Sequence, residues 1–286
     1  MIRALNHWRR FKNTAALSAI YTLTGIALVP LALVLWYTIA RGFPAASHLD
    51  FYLNVERPVG IPGAGVAHAI AGTGIMVGLA SLLAIPVGVV SGVHLAEYAA
   101  GRWAGWVRLA SDVLVGAPSI AIGLFGYVLL VAPQHHFSGF AGAVALAVLM
   151  LPVVIRTTEG AVALIPSSLR ESGLALGLPR WRVALQLVLP AAAPGVITGA
   201  LLAMARAAGE TAPLLFTGFG NRFLNLDPSQ PMSALPLIVF HDALTPYAAL
   251  QDQAWGAALV LVALVLLINL ASRWVLRRQI RLAGQL

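Results

Sequence analysis

Six separate apolar stretches, each long enough to cross a bilayer core of about 30 Å, run along this chain near residues 15–40, 67–95, 112–132, 139–155, 191–216 and 254–276. A soluble domain has no use for so many. Hydrophobic residues fill 59% of the 286 positions and charged residues only 10%, against roughly 25% charged in a soluble domain. The pattern predicts an all-α integral membrane protein with six transmembrane helices. The first stretch is about twice the apolar length of a secretory signal and lacks a small-residue cleavage site, so it reads as an anchor. Cysteine is absent, which excludes disulfides, zinc–thiolate sites and thiol catalysis.

The formal charge of +8 invites a nucleic-acid reading, and its distribution argues against one. Arg3, Arg9, Arg10 and Lys12 precede the first span, and Arg102 and Arg108 separate the second from the third. Arg156, Arg170, Arg180 and Arg182 separate the fourth from the fifth, and Arg273, Arg277, Arg278 and Arg281 close the chain. If six spans alternate, these 14 of the 18 basic residues share one side, and only Arg41, Arg57 and Arg222 fall on the other. The positive-inside rule then predicts that both termini are cytoplasmic. The basic balance is a topology signal, with membrane lipid as the surrounding partner and no nucleic acid.

Three regions are expected: an N-terminal helix and extracytoplasmic loop over 1–66, a five-helix core over 67–276, and a basic cytoplasmic tail over 277–286. Small residues become dense from about residue 67. Gly74–Gly78, Gly88–Gly92 and Gly195–Gly199 give spacings that let helices approach closely. Pro86, Pro118, Pro152, Pro194 and Pro213 each bend a span where neighbouring groups re-satisfy the backbone. No internal repeat is evident. A short helix is expected at 235–244 within the long polar loop 217–253.

The cytoplasmic stretch 156–190 carries the strongest local signals. Ser168 with Glu171 three residues on predicts a capping box. Gly177 suits the left-handed stop of a helix, and Pro179 suits the first turn of the next. Two short helices at an angle are expected, the first of two to three turns, forming a handle for another protein to grip.

No nucleotide-binding motif is found in the chain. A P-loop needs a lysine reaching nucleotide phosphates, and the single lysine, Lys12, lies outside any such loop. The sequence therefore predicts no cofactor bound by this chain. His135-His136 are adjacent and would diverge on a helix, which suits a loop tip. His68 and His94, near span ends, make no convincing catalytic pair, although an intramembrane enzyme stays a distant alternative. Arg206 and Glu210 are the notable charges, placed in the fifth span, where a charge costs about 2.5–3.5 kcal/mol on insertion scales. Their spacing puts both on one helix face. Two readings stand: a buried ion pair that fixes packing, or a pathway group that meets an anionic solute.

Two sets of residues carry a resemblance. Glu171, Gly177, Leu189 and Pro190 fit the cytoplasmic signature of ABC importer permeases, E-A-A-x3-G-x9-I-x-L-P, with Ser172 and Gly173 in place of the alanines and Leu187 in place of the isoleucine. The stretch Arg206-Ala207-Ala208-Gly209-Glu210-Thr211-Ala212-Pro213-Leu214-Leu215-Phe216-Thr217 resembles the fifth-span motif of the PstA family of phosphate permeases. Gly92 to Tyr98, Ala117-Pro118-Ser119-Ile120 with Gly123-Leu124-Phe125, and Ile155-Arg156-Thr157-Thr158-Glu159 are similar to the same family. The resemblance covers about 67–276. It implies the type I importer bundle, paired with a homologous permease subunit, two copies of an ATPase subunit that uses ATP and Mg, and an extracytoplasmic phosphate-binding protein. It implies pathway roles for Arg206, Glu210 and Thr211, and ATPase coupling through Ser168, Glu171, Gly177, Leu187, Leu189 and Pro190. Arg156 and Glu159 are implied as cytoplasmic supports. A permease of the same architecture for sulfate or molybdate is the nearest alternative. Glycine at 173 is expected to weaken the coupling helix, since glycine costs about 1 kcal/mol inside a helix.

Overall fold

A computed structural model describes residues 2–98 and 101–283, and is helical throughout apart from one isolated bridge between Phe219 and Met232. The helices are α1 (Ile2–Ala46), α2 (Asp50–Leu53), α3 (Ala67–Glu97), α4 (Arg102–Gly116) and α5 (Ser119–Gln134). They continue as α6 (Gly139–Ala163), α7 (Ser167–Ala175), α8 (Arg180–Ala208), α9 (Ala212–Thr217), α10 (Leu235–Ala243) and α11 (Ala248–Ala283). Five of these are long and apolar enough to cross a membrane, and counting α4 with α5 as one broken crossing makes six. Of the expected basic tail, residues 284–286 lie outside the described residues.

The third crossing departs from the expected continuous span at 112–132. It breaks at Ala117-Pro118, where α4 and α5 meet at 103°. A residue before proline is pushed from helical to extended dihedrals, and Ala117 has ψ 139. The fifth crossing, expected over 191–216, likewise starts earlier, at Arg180, and ends at Ala208 before the short α9. Both Pro118 and Pro213 therefore sit at breaks, while Pro86, Pro152 and Pro194 lie inside uninterrupted helices.

The core forms where α6 packs between α3 and α8. A side chain at Gly88 would run into Val154, one at Gly92 into Thr158, and one at Gly199 into Thr157. These are the close approaches that small residues permit. Gly74 and Gly78 face open space instead, so that spacing marks no close helix approach among the described residues. Met76, Leu146, Met150 and Leu237 are completely enclosed at the centre. The start of α6 is fixed by Ser138, whose hydroxyl accepts from the Ala141 amide at 3.1 Å. The N-terminal α1 leans on α11, with Gly42 against the Trp255 carbonyl, and otherwise presents an apolar surface suited to lipid. The short helix expected at 235–244 is α10.

The six-crossing arrangement puts the α6–α8 connection and the α9–α10 connection on opposite sides. Ser168 and Ser229 are both exposed. In this cysteine-free chain, single cysteines at these positions are expected to label from opposite faces. An impermeant thiol reagent should reach position 229, and not 168, in cells whose outer barrier alone is opened. Equal labelling at both positions would show that the crossings do not alternate in this way.

Candidate functional site

The helix α7 projects between two crossings, on the side that collects most of the arginines. Its start differs from the expected capping box. Pro166, with ψ 144, occupies the cap position, so Ser168 lies within the first turn and its carbonyl accepts from the Ser172 hydroxyl at 2.8 Å. A capping residue needs extended dihedrals, which Pro166 already has; Ser168 and Glu171 are left exposed. The other end is as expected. Gly177 has φ +79, its amide donates to the Leu174 carbonyl, and the Leu178 amide donates to the Gly173 carbonyl. This is the paired closing of a left-handed helix stop. Before it, Glu171 and Leu174, three residues apart on one face, are exposed, and so is Leu176 at the helix end.

The second short helix expected after Gly177 is instead the first turn of α8, with Pro179 as its cap. Leu187, Leu189 and Pro190 thus belong to a crossing helix rather than to the loop. Residues 183–188 form a widened π turn directly before Pro190, as 127–131 do before Pro133. A proline ring clashes with the carbonyl four residues back in a regular helix, and a widened turn relieves that clash. Leu187 and Leu189 pack on a cluster containing Val93, Val162 and Val188.

Gly173 is where α7 meets α8. A β-carbon there would lie 2.6 Å from Leu187 Cδ1 and 2.9 Å from Val183 Cγ2. The expected weakening by glycine is therefore offset by a closer approach than alanine permits.

Arg170, one turn before Gly173 and Leu174 on α7, carries no spacing signal in the sequence. Its Nε and Nη2 donate to Glu97 Oε1 at 2.9 and 2.7 Å, and its remaining donors reach the carbonyls of Val162 and Ile165. One guanidinium thus ties α7 to the last residue of α3 and to the end of α6. Arg156 and Glu159 join a second group: Glu159 accepts from Arg108 at 2.6 Å and from Arg156 at 2.9 Å, while Arg156 also pairs with Asp112 at 3.0 Å. The forked guanidinium suits such multi-carboxylate and carbonyl contacts. The sequence signal was the rarity of charge: each acid lies at the end of an apolar run.

Arg206 occupies the last turn of α8, and the helix ends before Glu210. The expected position of both charges inside one continuous helix is therefore replaced by a break at 209–211. Arg206 Nε lies 3.7 Å from Glu210 Oε1, with side-chain exposures of 46% and 20%. That is a loose pair rather than a buried one. Ala203 and Ala207 face the core while Arg206 faces away, and Thr211 begins the turn into α9. Irregular backbone at membrane depth is tolerated where protein or a water-filled cavity covers it. Among the described residues, no group of three or more histidine or acidic side chains is arranged to hold a metal.

Residues 84–282 match the model of the family described as "Binding-protein-dependent transport system inner membrane component". The chain is 43% identical to the phosphate transport system permease protein PstA of Yersinia pestis, covering 93% of this chain and 90% of the relative. It is 40% identical to PstA 1 of Mycobacterium tuberculosis strain H37Rv, covering 99% and 94%. The chain belongs to the PstA permease family. Its fold is also that of a solved methionine ABC transporter, MetNI in an inward-facing conformation, with TM-score 0.61, 20% identity, and coverage of 74% of this chain and 95% of that one. This PstA-family permease is accordingly a multi-pass membrane protein of an ABC transport system, and its relatives are transport subunits rather than enzymes.

Proposed function

We propose that this chain is a permease subunit of an ATP-driven importer of inorganic phosphate in the bacterial cytoplasmic membrane. The observation that carries the reading is the similarity to phosphate permeases, which for the Yersinia pestis relative covers 93% of this chain and 90% of that one. In this reading a homologous permease subunit supplies the other half of the pathway. Two ATPase subunits, which bind ATP and Mg, grip the exposed face of α7, and a phosphate-binding protein docks on the opposite side. Closure of the ATPases moves α7. Gly173 transmits that motion to Val183 and Leu187 of α8, and Arg170 transmits it to Glu97 of α3. Both helices flank α6, so the core rocks and the pathway opens to alternate sides.

Arg206, Glu210 and Thr211 sit at the helix break, where a forked cation turned away from the core suits an oxyanion. Glu210 limits how tightly that anion is held. This chain makes and breaks no covalent bond; it positions and releases. The test is uptake from low-phosphate medium by cells lacking this chain. Phosphate uptake is expected to fall to background and to return when the chain is restored, with sulfate and molybdate uptake unchanged. Retained phosphate uptake with lost sulfate or molybdate uptake would assign the permease to that solute.

A further inference from the structure

On the face opposite α7 lies a cavity of about 290 Å³ between the stretch after α2, the 219–222 turn and the end of α10. Two carboxylates line it. Glu56, only 9% exposed at its side chain, pairs with Arg222 at 3.1 Å, while Arg222 itself is 75% exposed at the rim. Asp242 is 5% exposed, and its Oδ2 has no hydrogen-bond partner. Two neighbouring polar groups, Asn221 and Thr245, are committed elsewhere. The Asn221 side chain bonds the Pro231 carbonyl and the Phe223 amide, and the Thr245 hydroxyl donates to the backbone carbonyl of Asp242.

A buried carboxylate oxygen without a partner is costly, and natural interiors seldom keep one without a reason. Burial pushes Asp242 up to about 7, with the charge of Glu56 adding to the rise and Arg222 opposing it. With Glu56 balanced by Arg222, the charge of Asp242 remains unbalanced, so the cavity rejects anions. A divalent ion prefers six or more oxygen ligands, and a single unpaired carboxylate in a space this large does not offer them. A long cationic side chain fits both the volume and the charge.

We propose that this cavity receives a lysine or arginine side chain presented by the protein that docks on the extracytoplasmic face. The proposal rests on the reading that a phosphate-binding protein docks there. Its cation completes the hydrogen bonding of Asp242 and favours the ionised carboxylate. Association therefore strengthens as pH rises through neutrality, with Glu56, Arg222 and His241 as the other charged or titratable groups at the cavity.

The experiment measures the affinity of the phosphate-binding protein for the complete importer in lipid nanodiscs. Asp242→Asn is expected to weaken binding roughly ten- to hundredfold, the range of a charge-assisted hydrogen bond, and to flatten the rise in affinity between about pH 6 and pH 8. Glu56→Gln should weaken it less, because Arg222 then adds an unbalanced positive charge at the rim. As a check independent of folding, surface lysines and arginines of the binding protein are reversed one at a time against the unaltered importer. At least one reversal should reproduce the loss. Unchanged affinity in Asp242→Asn, or no sensitive basic residue on the binding protein, would overturn this inference and leave the docking reading intact. Failure of the unaltered importer to bind the protein at all would overturn both.

Discussion

Arg170→Ala is expected to abolish most phosphate uptake while the importer still assembles and still hydrolyses ATP. Arg170 is three-quarters shielded and Glu97 nearly nine-tenths shielded at their side chains. Removing the cation leaves a mostly buried carboxylate at the end of α3 without its strongest partner. It also frees the carbonyl of Ile165 and takes one donor from that of Val162, which keeps its backbone partners. Hydrogen bonds to charged groups are each worth about 1.5–3 kcal/mol, so the tie between α7, α3 and α6 loosens substantially. Core packing does not depend on it, because the α3–α6 seam is made by Gly88, Gly92 and their neighbours. Arg170→Lys keeps a charge for Glu97 but loses the fork that reaches three partners, and is expected to fall between the wild type and the alanine variant. The exchange of Arg170→Glu with Glu97→Arg restores a pair of charges without donors for the two carbonyls, so recovery should be partial. The measurement is phosphate moved per ATP hydrolysed in the reconstituted importer. A normal ratio in Arg170→Ala would show that the clamp transmits nothing.

The crossings and the helix stop at Gly177 were legible because they depend on local chemistry, namely apolar run length and the left-handed freedom of glycine. The close seams at Gly88–Gly92 and Gly195–Gly199 were legible as spacing, whereas Gly74–Gly78 has the same spacing and meets nothing among the described residues. Spacing describes a face; it does not say which neighbour arrives. Breaks were harder. Pro118 splits a crossing while Pro86 does not, since a proline inside a helix is tolerated when its surroundings absorb the lost bond. The widened turns before Pro133 and Pro190 follow the same chemistry and have no signature beyond the proline. The capping box failed because Pro166 met the dihedral requirement two residues before Ser168. The Arg170–Glu97 clamp was hidden for a plainer reason: its partners are 73 residues apart, and only the fold brings them together.

Arg206→Gln is expected to eliminate phosphate uptake with insertion and assembly unchanged, because it removes a fixed positive charge and its forked donors beside the break at 209–211. The geometry makes a purely structural cause for such a loss weak. An ion pair at 3.7 Å with one side chain half exposed belongs to the class worth about 0–1 kcal/mol, too little to unmake the bundle. Arg206→Lys keeps the charge without the fork and should retain a minor part of the activity. Glu210→Gln removes the counter-charge, so phosphate should bind more tightly and leave more slowly, lowering the transport rate less severely than Arg206→Gln does. The double variant Arg206→Gln, Glu210→Gln separates the two readings. If the residues act only as a pair, removing both leaves no uncompensated charge, and uptake should recover towards normal. If Arg206 meets the anion, the double variant assembles and stays inactive, since no cation remains to replace water around phosphate. Near-normal uptake by the double variant would therefore remove Arg206 from the pathway and leave it a packing element at the end of α8.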